Sequence, residues 1–361
     1  MTPLVLVATA LLLAYANGAN DNFKAAATLW GSKTTSFWTA ITWTTVTTAA
    51  GSMTAVLLAG TLLKLFSGKG VVPEALATTP SFVLALGLGA GGTVLLATVL
   101  GFPISTTHAL TGALMGAGYA AVGAEVNWSG LGRSFFLPLL VSPVLAVLLA
   151  GLLSRLSVRR LPAATAEVCL CVAQGQTLAP EAAPSLSQAT ATTLVVSHTK
   201  TCNAAGATPL LRGRVETGLH FLSAGAVAFA RGLNDTPKMA ALLLLVPGWG
   251  GLRGMMLVGL AIAVGGLLQS RRVAETMAHK ITPMGAIEGL TANLSTALLV
   301  LGASKLGVPV STTHVSVGSL FGLGLRSGRL RASTASQIIL SWVVTLPISA
   351  LLGALTWLLA S

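Results

Sequence analysis

Long apolar runs with almost no charge inside them dominate this chain, and they leave few folds open. Such runs lie near residues 2–30, 37–66, 80–101, 130–153, 215–246, 250–269, 284–303 and 334–360. A helix needs about 20 apolar residues to cross the hydrocarbon core of a bilayer, and these stretches reach that length. Charged residues make up only 8% of the 361 positions and hydrophobic residues 53%, whereas a soluble domain carries roughly a quarter charged residues. Too few charges remain to cover a water-facing surface, so most of the surface must face lipid. The 40 glycines fit this reading, because small residues let membrane helices approach closely. The first run, Leu4 to Ala16, lacks a positively charged start and leads straight into a polar motif, so it reads as a retained membrane segment.

Two further apolar stretches, 103–123 and 309–325, are short and rich in Gly, Ser and Thr, and each opens with a proline. Each is expected to form a re-entrant hairpin or a broken helix. Residues 154–212 interrupt the apolar pattern with Pro162, Pro180, Pro184 and several glutamines. The expected organisation is therefore a membrane repeat over 1–153, a hydrophilic connection over 154–212 and a second membrane repeat over 213–361. Within the connection, the alternation Val168, Leu170, Val172 and the run Leu194 to Val196 predict a small β-hairpin. Cys169, Cys171 and Cys202 lie there too, with His198, but C-x-C beside a distant His and Cys matches no common zinc spacing, so no metal site is expected.

The net charge of +12 does not point to nucleic acid. Basic residues sit in short runs between apolar stretches: Arg155, Arg159, Arg160; Arg271, Arg272, Lys280; Arg326, Arg329, Arg331. Runs of this kind orient helices and touch anionic headgroups. Because Arg155, Arg159, Arg160, Arg212 and Arg214 flank the central connection, that connection is expected on the cytoplasmic side. Trp30, Trp38, Trp43, Trp128, Trp342 and Trp357 mostly stand near the ends of apolar runs and read as interface anchors.

The chain repeats itself. Gly-Phe-Pro-Ile-Ser-Thr-Thr-His at 101–108 returns as Gly-Val-Pro-Val-Ser-Thr-Thr-His at 307–314, and Gly18-Ala19-Asn20-Asp21 returns as Gly232-Leu233-Asn234-Asp235. The offsets of 206 and 214 residues keep both motifs in order at near-equal spacing, which marks a duplication. Repeats with interrupted apolar segments characterise secondary transporters that bind cargo at the repeat interface. An odd number of crossings per half would invert one half relative to the other.

The chain holds two aspartates, Asp21 and Asp235, and they are repeat mates inside apolar runs. A carboxylate there costs several kcal/mol unless it is paired or hydrated, so intramembrane carboxylates mark functional sites or helix-fastening pairs. Lys24 and Lys238 follow three residues on, which on a helix places them on the same face. Asn20 and Asn234 add amides. Ser105, Thr106, Thr107 and Ser311, Thr312, Thr313 follow Pro103 and Pro309 and are expected at helix N-termini, where free N–H groups and the positive dipole end attract an anion. Plain N-capping is the competing role for these hydroxyls. Two such ends could grip a tetrahedral oxyanion from opposite sides. His108, His314 and Glu288, together with the two aspartates, are candidates for ion coupling. No Walker-type phosphate loop appears, which argues against an ATP-driven pump.

These residues together make the chain resemble the inorganic phosphate transporter (PiT) family of secondary transporters over nearly its whole length. The resemblance implies an all-α polytopic membrane protein of two inverted repeats. It implies inorganic phosphate as cargo, taken up with sodium or protons; alternating access, no cofactor, a bacterial inner membrane setting and the option of a homodimer are further expectations for this chain. Carried over, the family's substrate and ion site falls on Asn20, Asp21, Ser105 to Thr107, Asn234, Asp235 and Ser311 to Thr313. One position departs. The family pattern reads Gly-Ala-Asn-Asp-x-x-Asn, with the last Asn helping to bind sodium, and here both copies carry lysine instead, Lys24 and Lys238. A tethered ammonium can stand where a bound cation would, so the expectation is sodium-independent or proton-coupled transport. A sodium-coupled phosphate symporter, a permease for sulfate or another oxyanion, a channel and a membrane enzyme acting on phosphorylated lipid are the alternatives. The last needs a nucleophile and base set that the motifs barely hint at.

Overall fold

Each apolar run becomes a helix in the computed structural model. It describes residues 3–58, 62–63, 66, 68, 70–160, 167–174, 192–198 and 208–361, with side chains for all of these except 157–160, 167–174, 192–198 and 208–214. The long helices of the first half are α1 (Pro3–Asp21), α2 (Phe37–Leu58), α3 (Pro80–Leu100), α4 (Thr106–Val122) and α5 (Leu137–Arg160). Strands β1 (Glu167–Gln174), β2 (Thr192–His198) and β3 (Thr208–Arg214) follow. The second half brings α6 (Val215–Ala240), α7 (Leu252–Gln269), α8 (Ala286–Lys305), α9 (Thr312–Ser327) and α10 (Ala332–Ala360). Among the described residues, the helical segments Pro3–Lys24, Pro80–Leu100, Trp128–Leu156, Leu252–Gln269, Ala286–Lys305 and Ala332–Ala360 are long and apolar enough to cross a membrane.

The two short Ser/Thr-rich stretches form the returning arms of helical hairpins, and local chemistry explains the turns. Helix α3 stops at Gly101, whose φ of 79° is left-handed backbone that glycine adopts without strain. Pro103 follows and cannot continue a helix. Ser105 then caps α4 by accepting a hydrogen bond from the His108 amide at 3.1 Å. The second half repeats each step. Gly307 has φ of 67°, Pro309 follows, and Ser311 caps α9 through the His314 amide at 3.1 Å. The hairpins α3–α4 and α8–α9 therefore present tips of matching sequence.

The halves are interlaced. Within each half α1 packs on α3, as α6 packs on α8. Across the halves α1 packs on α7 and α6 on α2, while α4 packs on α10 and α9 on α5. Each half thus lends its final helix to the other half's hairpin. The crossings are tight at the repeated motif: a Cβ at Gly18 would fall on the Ile262 carbonyl, and one at Gly232 on the Thr48 carbonyl. Buried Leu13, Phe82, Ile104 and Leu110 belong to a core around the first hairpin, and Phe23, Ile41, Val317 and Leu320 to one around the second.

The pairing of β1 with β2 is antiparallel and sets Cys171 opposite Val195 and Leu170 opposite Val196, which is the expected hairpin. Strand β3 adds to the other edge of β1, giving the order β2-β1-β3. Nothing in the apolar alternation announced this third strand. Helix α5 runs on to Arg160, and α6 begins at Val215 directly after β3. The side chains of Cys169, Cys171 and His198, and all of Cys202, lie outside the described residues.

The basic runs gather at one end of the helices. Arg155 of α5 and Arg326 of α9 line one cleft. Arg329 pairs with Glu288, and Arg331 donates to the His279 carbonyl at 2.8 Å. Arg271, Arg272 and Lys280 line a cavity of about 810 Å³ beside them. The strands join the helices at the same end, through Arg160 and Val215.

Candidate functional site

The site begins where α1 gives out. Its last residue is Asp21, and the next three, Asn22–Lys24, wind into a tighter turn. Helix α6 instead continues past its own aspartate, through Pro237 to Ala240. In both halves the i, i+3 spacing turns the lysine back onto the aspartate. Lys24 pairs with Asp21, and Lys238 Nζ lies 2.9 Å from Asp235 Oδ1. All four side chains are buried. A buried pair is stable only if its remaining donors and acceptors are also met, and here the hairpin tips meet them.

Each lysine bonds both tips. Lys24 Nζ donates to the Ile104 carbonyl at 3.0 Å and to Thr313 of the other half. Lys238 Nζ donates to the Val310 carbonyl at 3.1 Å and to Thr107 of the other half at 2.8 Å. The threonines complete the exchange, since Thr313 donates to the Ile104 carbonyl at 2.7 Å and Thr107 to the Val310 carbonyl at 3.5 Å. The preceding threonines serve the carboxylates. Thr106 donates to Asp21 Oδ2 at 3.3 Å, and Thr312 to Asp235 Oδ2 at 3.2 Å. The result is a two-fold arrangement in which each Asp–Lys pair touches the hairpin tip of its own half and, through its lysine, that of the other.

The asparagines hold the tips to α1 and α6. Asn20 donates to Thr98 Oγ1 at 2.9 Å and to the Phe102 carbonyl at 3.0 Å, and accepts from the Ile104 amide at 3.1 Å. Asn234 donates to Asp235 Oδ1 at 3.1 Å and to the Val310 carbonyl at 3.2 Å. Thr98 and Gly101 also line the 810 Å³ cavity with Arg271 and Arg272, so that basic recess reaches the residues bonded to Asn20.

Ten of the sequence-derived candidates therefore meet in one network: Asn20, Asp21, Lys24, Thr106, Thr107, Asn234, Asp235, Lys238, Thr312 and Thr313. Ser105 and Ser311 sit at the same tips, but their hydroxyls are occupied as caps. His108 and His314 lie behind the tips with ring centroids 4.4 Å apart. His314 Nδ1 is 3.3 Å from the Leu139 carbonyl, and Trp342 packs on its ring at 4.0 Å. Trp342 is buried and donates to the Pro103 carbonyl at 2.9 Å, so it props a hairpin tip and is no interface anchor. Glu288 stands apart. It occupies the first turn of α8, accepts from the Gly285 amide at 2.7 Å and pairs with Arg329 at the basic end.

Sequence reasoning passed over Arg231, Asn17 and Asn22. Arg231 is 1% exposed and reaches out of α6 into the first half. It donates to Asn17 Oδ1 at 3.2 Å and to Asn22 Oδ1 at 3.0 Å. Asn17 in turn donates to Asp21 Oδ2 and to Thr106 Oγ1, both at 3.0 Å. The signal was available, because an arginine inside the apolar run 215–246 is itself a mark of function.

Comparisons with known proteins identify the family and the fold. A family model described as the phosphate transporter family matches residues 17–353. A protein of Rhizobium meliloti named a probable low-affinity inorganic phosphate transporter is 29% identical over 371 residues, 98% of this chain and 95% of that protein. The chloroplastic inorganic phosphate transporter 2-1 of Arabidopsis thaliana is 29% identical over 434 residues, 99% of this chain and 72% of its own. A solved structure titled as the sodium-dependent phosphate transporter shares the fold, with a TM-score of 0.74 and 23% identity over 99% of this chain and 98% of that one. The chain belongs to the phosphate transporter family and is an integral membrane protein.

Proposed function

We propose that this member of the phosphate transporter family carries inorganic phosphate by alternating access and does so without sodium. One observation carries the reading: each buried lysine bonds its own aspartate and the opposite hairpin's threonine. Cargo between the tips has two ammonium groups, four threonine hydroxyls and two helix N-termini within reach, a donor set suited to a tetrahedral oxyanion. The same ammoniums offset Asp21 and Asp235, a task that a co-transported cation would otherwise perform.

The packing supports the following cycle. With the tips apart on one side, phosphate replaces threonine–carbonyl and lysine–carbonyl bonds. The interlaced halves then rock about the bound anion and open on the other side. The recess lined by Arg271, Arg272 and Lys280 gives one of the two routes. The basic residues gathered at that end support a cytoplasmic position for it, and for the segment joining the halves, at a plasma membrane. The test is labelled phosphate uptake into proteoliposomes with sodium replaced by choline. Undiminished uptake supports the reading, and a strict sodium requirement overturns its ion part. Sodium coupling is the second reading, favoured by the name of the structural neighbour.

A further inference from the structure

The two halves match around the aspartates but not one turn earlier. The residue that the repeat aligns with Asn17 is Arg231, and the residue aligned with Asn22 is Thr236. The first half therefore offers two amide oxygens, Asn17 Oδ1 and Asn22 Oδ1, which the second half lacks. Both accept from the guanidinium of Arg231, at 3.2 and 3.0 Å. Thr48 adds a hydroxyl that donates to Asn22 Oδ1 at 3.2 Å. Amide oxygens gathered in an apolar interior are the partners a monovalent cation takes. Here a tethered cation takes them.

Charge then decides what the centre can hold. Asp21 and Asp235 bring two negative charges, and Lys24, Lys238 and Arg231 bring three positive ones, all on side chains no more than 3% exposed. The two Asp–Lys pairs cancel. Among the described residues Arg231 pairs with no carboxylate of its own; it donates to amide oxygens, and its Nε has no hydrogen-bond partner there. An isolated charge in low dielectric costs several kcal/mol, so the balance must be closed by an anion. Asn17 links Arg231 to Asp21 and Thr106, and so to the hairpin tip where cargo is expected.

We propose that Arg231 is a built-in third cation. Its guanidinium fills, in the first half, the place of a co-transported monovalent cation, so that the centre is neutral when it holds a singly charged tetrahedral oxyanion, the dihydrogen form of phosphate. This deepens the reading of phosphate as cargo and rests on it. It also separates phosphate from sulfate, which is doubly charged and leaves the centre negative.

The experiment uses the full chain in proteoliposomes with equal phosphate on both sides, so that labelled exchange reports only the loaded carrier. One elementary charge crossing a potential of about 100 mV is worth up to about 50-fold in rate. Wild-type exchange is expected to change less than about twofold when that potential is imposed, and less than about twofold between choline and sodium. Arg231→Lys keeps the charge and is expected to show the same two insensitivities, whatever its absolute rate. Arg231→Gln leaves the loaded centre one charge negative. Its exchange in choline is expected to fall at least about tenfold and to recover in sodium, which can enter between Asn17 and Asn22. Exchange by Arg231→Gln that stays insensitive to both potential and sodium overturns the proposal, as does wild-type exchange that moves toward the 50-fold limit. If Arg231→Gln does not fold, the wild-type potential measurement and Arg231→Lys still decide. Absence of phosphate exchange by the wild type under every ion condition defeats the cargo reading itself, and is distinguished by that total loss.

Discussion

The two halves hold their aspartates differently. Asp21 takes Lys24, Asn17 and Thr106, and through Asn17 it is joined to Arg231 of the opposite half. Asp235 takes Lys238, Thr312 and the neighbouring Asn234, and among the described residues no second layer reaches across to it from α1. Its helix also runs on past the aspartate, whereas α1 ends there. The groups expected to touch cargo are thus paired one for one, while the layer behind them is lopsided. Duplication preserved the grip and released its surroundings to carry a charge that only one half supplies.

The largest test of this contrast is the aspartates themselves. Asp21→Asn and Asp235→Asn each leave a buried lysine uncompensated, a loss of about 3–5 kcal/mol in comparable pairs. Phosphate uptake should vanish in both while membrane insertion, followed by immunoblot, persists. Normal uptake by either one removes that residue from the site. Next comes Lys24→Asn with Lys238→Asn, which restores the family's usual residue in both copies. The double variant should transport only in sodium, and sodium-independent uptake by it would break the tethered-cation argument.

Smaller effects probe the symmetric part. Thr107→Val and Thr313→Val each delete one hydroxyl that a lysine of the other half bonds. Each should lower uptake by about tenfold, in line with about 1–3 kcal/mol for an unsatisfied buried donor. A large disparity between them would show that the grip, too, is lopsided. At the bottom of the scale, Glu288→Gln breaks an ion pair in which Arg329 is 46% and Glu288 30% exposed. Exposed pairs contribute about 0–1 kcal/mol, so thermal stability and uptake should stay near wild type. A severe uptake defect would return Glu288 to the coupling machinery.

The sequence was legible wherever chemistry and repetition coincided. Two aspartates in apolar runs, each with a lysine three residues on, predict buried pairs from local spacing alone. Gly101, Pro103 and Ser105, with Gly307, Pro309 and Ser311, spell helix stop, break and restart in local terms. Glu288 was less legible, because a run of apolar residues does not say where its helix begins. The structure starts α8 at Ala286, which puts Glu288 in the first turn and at the basic edge. Trp342 misled in the opposite sense, since position along a helix says nothing about which neighbour meets its N–H.

By itself the sequence determined the membrane class, the duplication, the hairpin turns and the Asp–Lys pairs, because each depends on residues within a few positions of one another or on their recurrence. Only the tertiary structure decided that each lysine also bonds the other half's threonine, that the final helices are exchanged between halves, and that Arg231 reaches Asn17 and Asn22. The side-chain contacts among them join residues 131 to 289 positions apart. Spacing along the chain carries no information about them, and they form because interlacing brings both hairpin tips and the aspartate-bearing segments of α1 and α6 to one buried point.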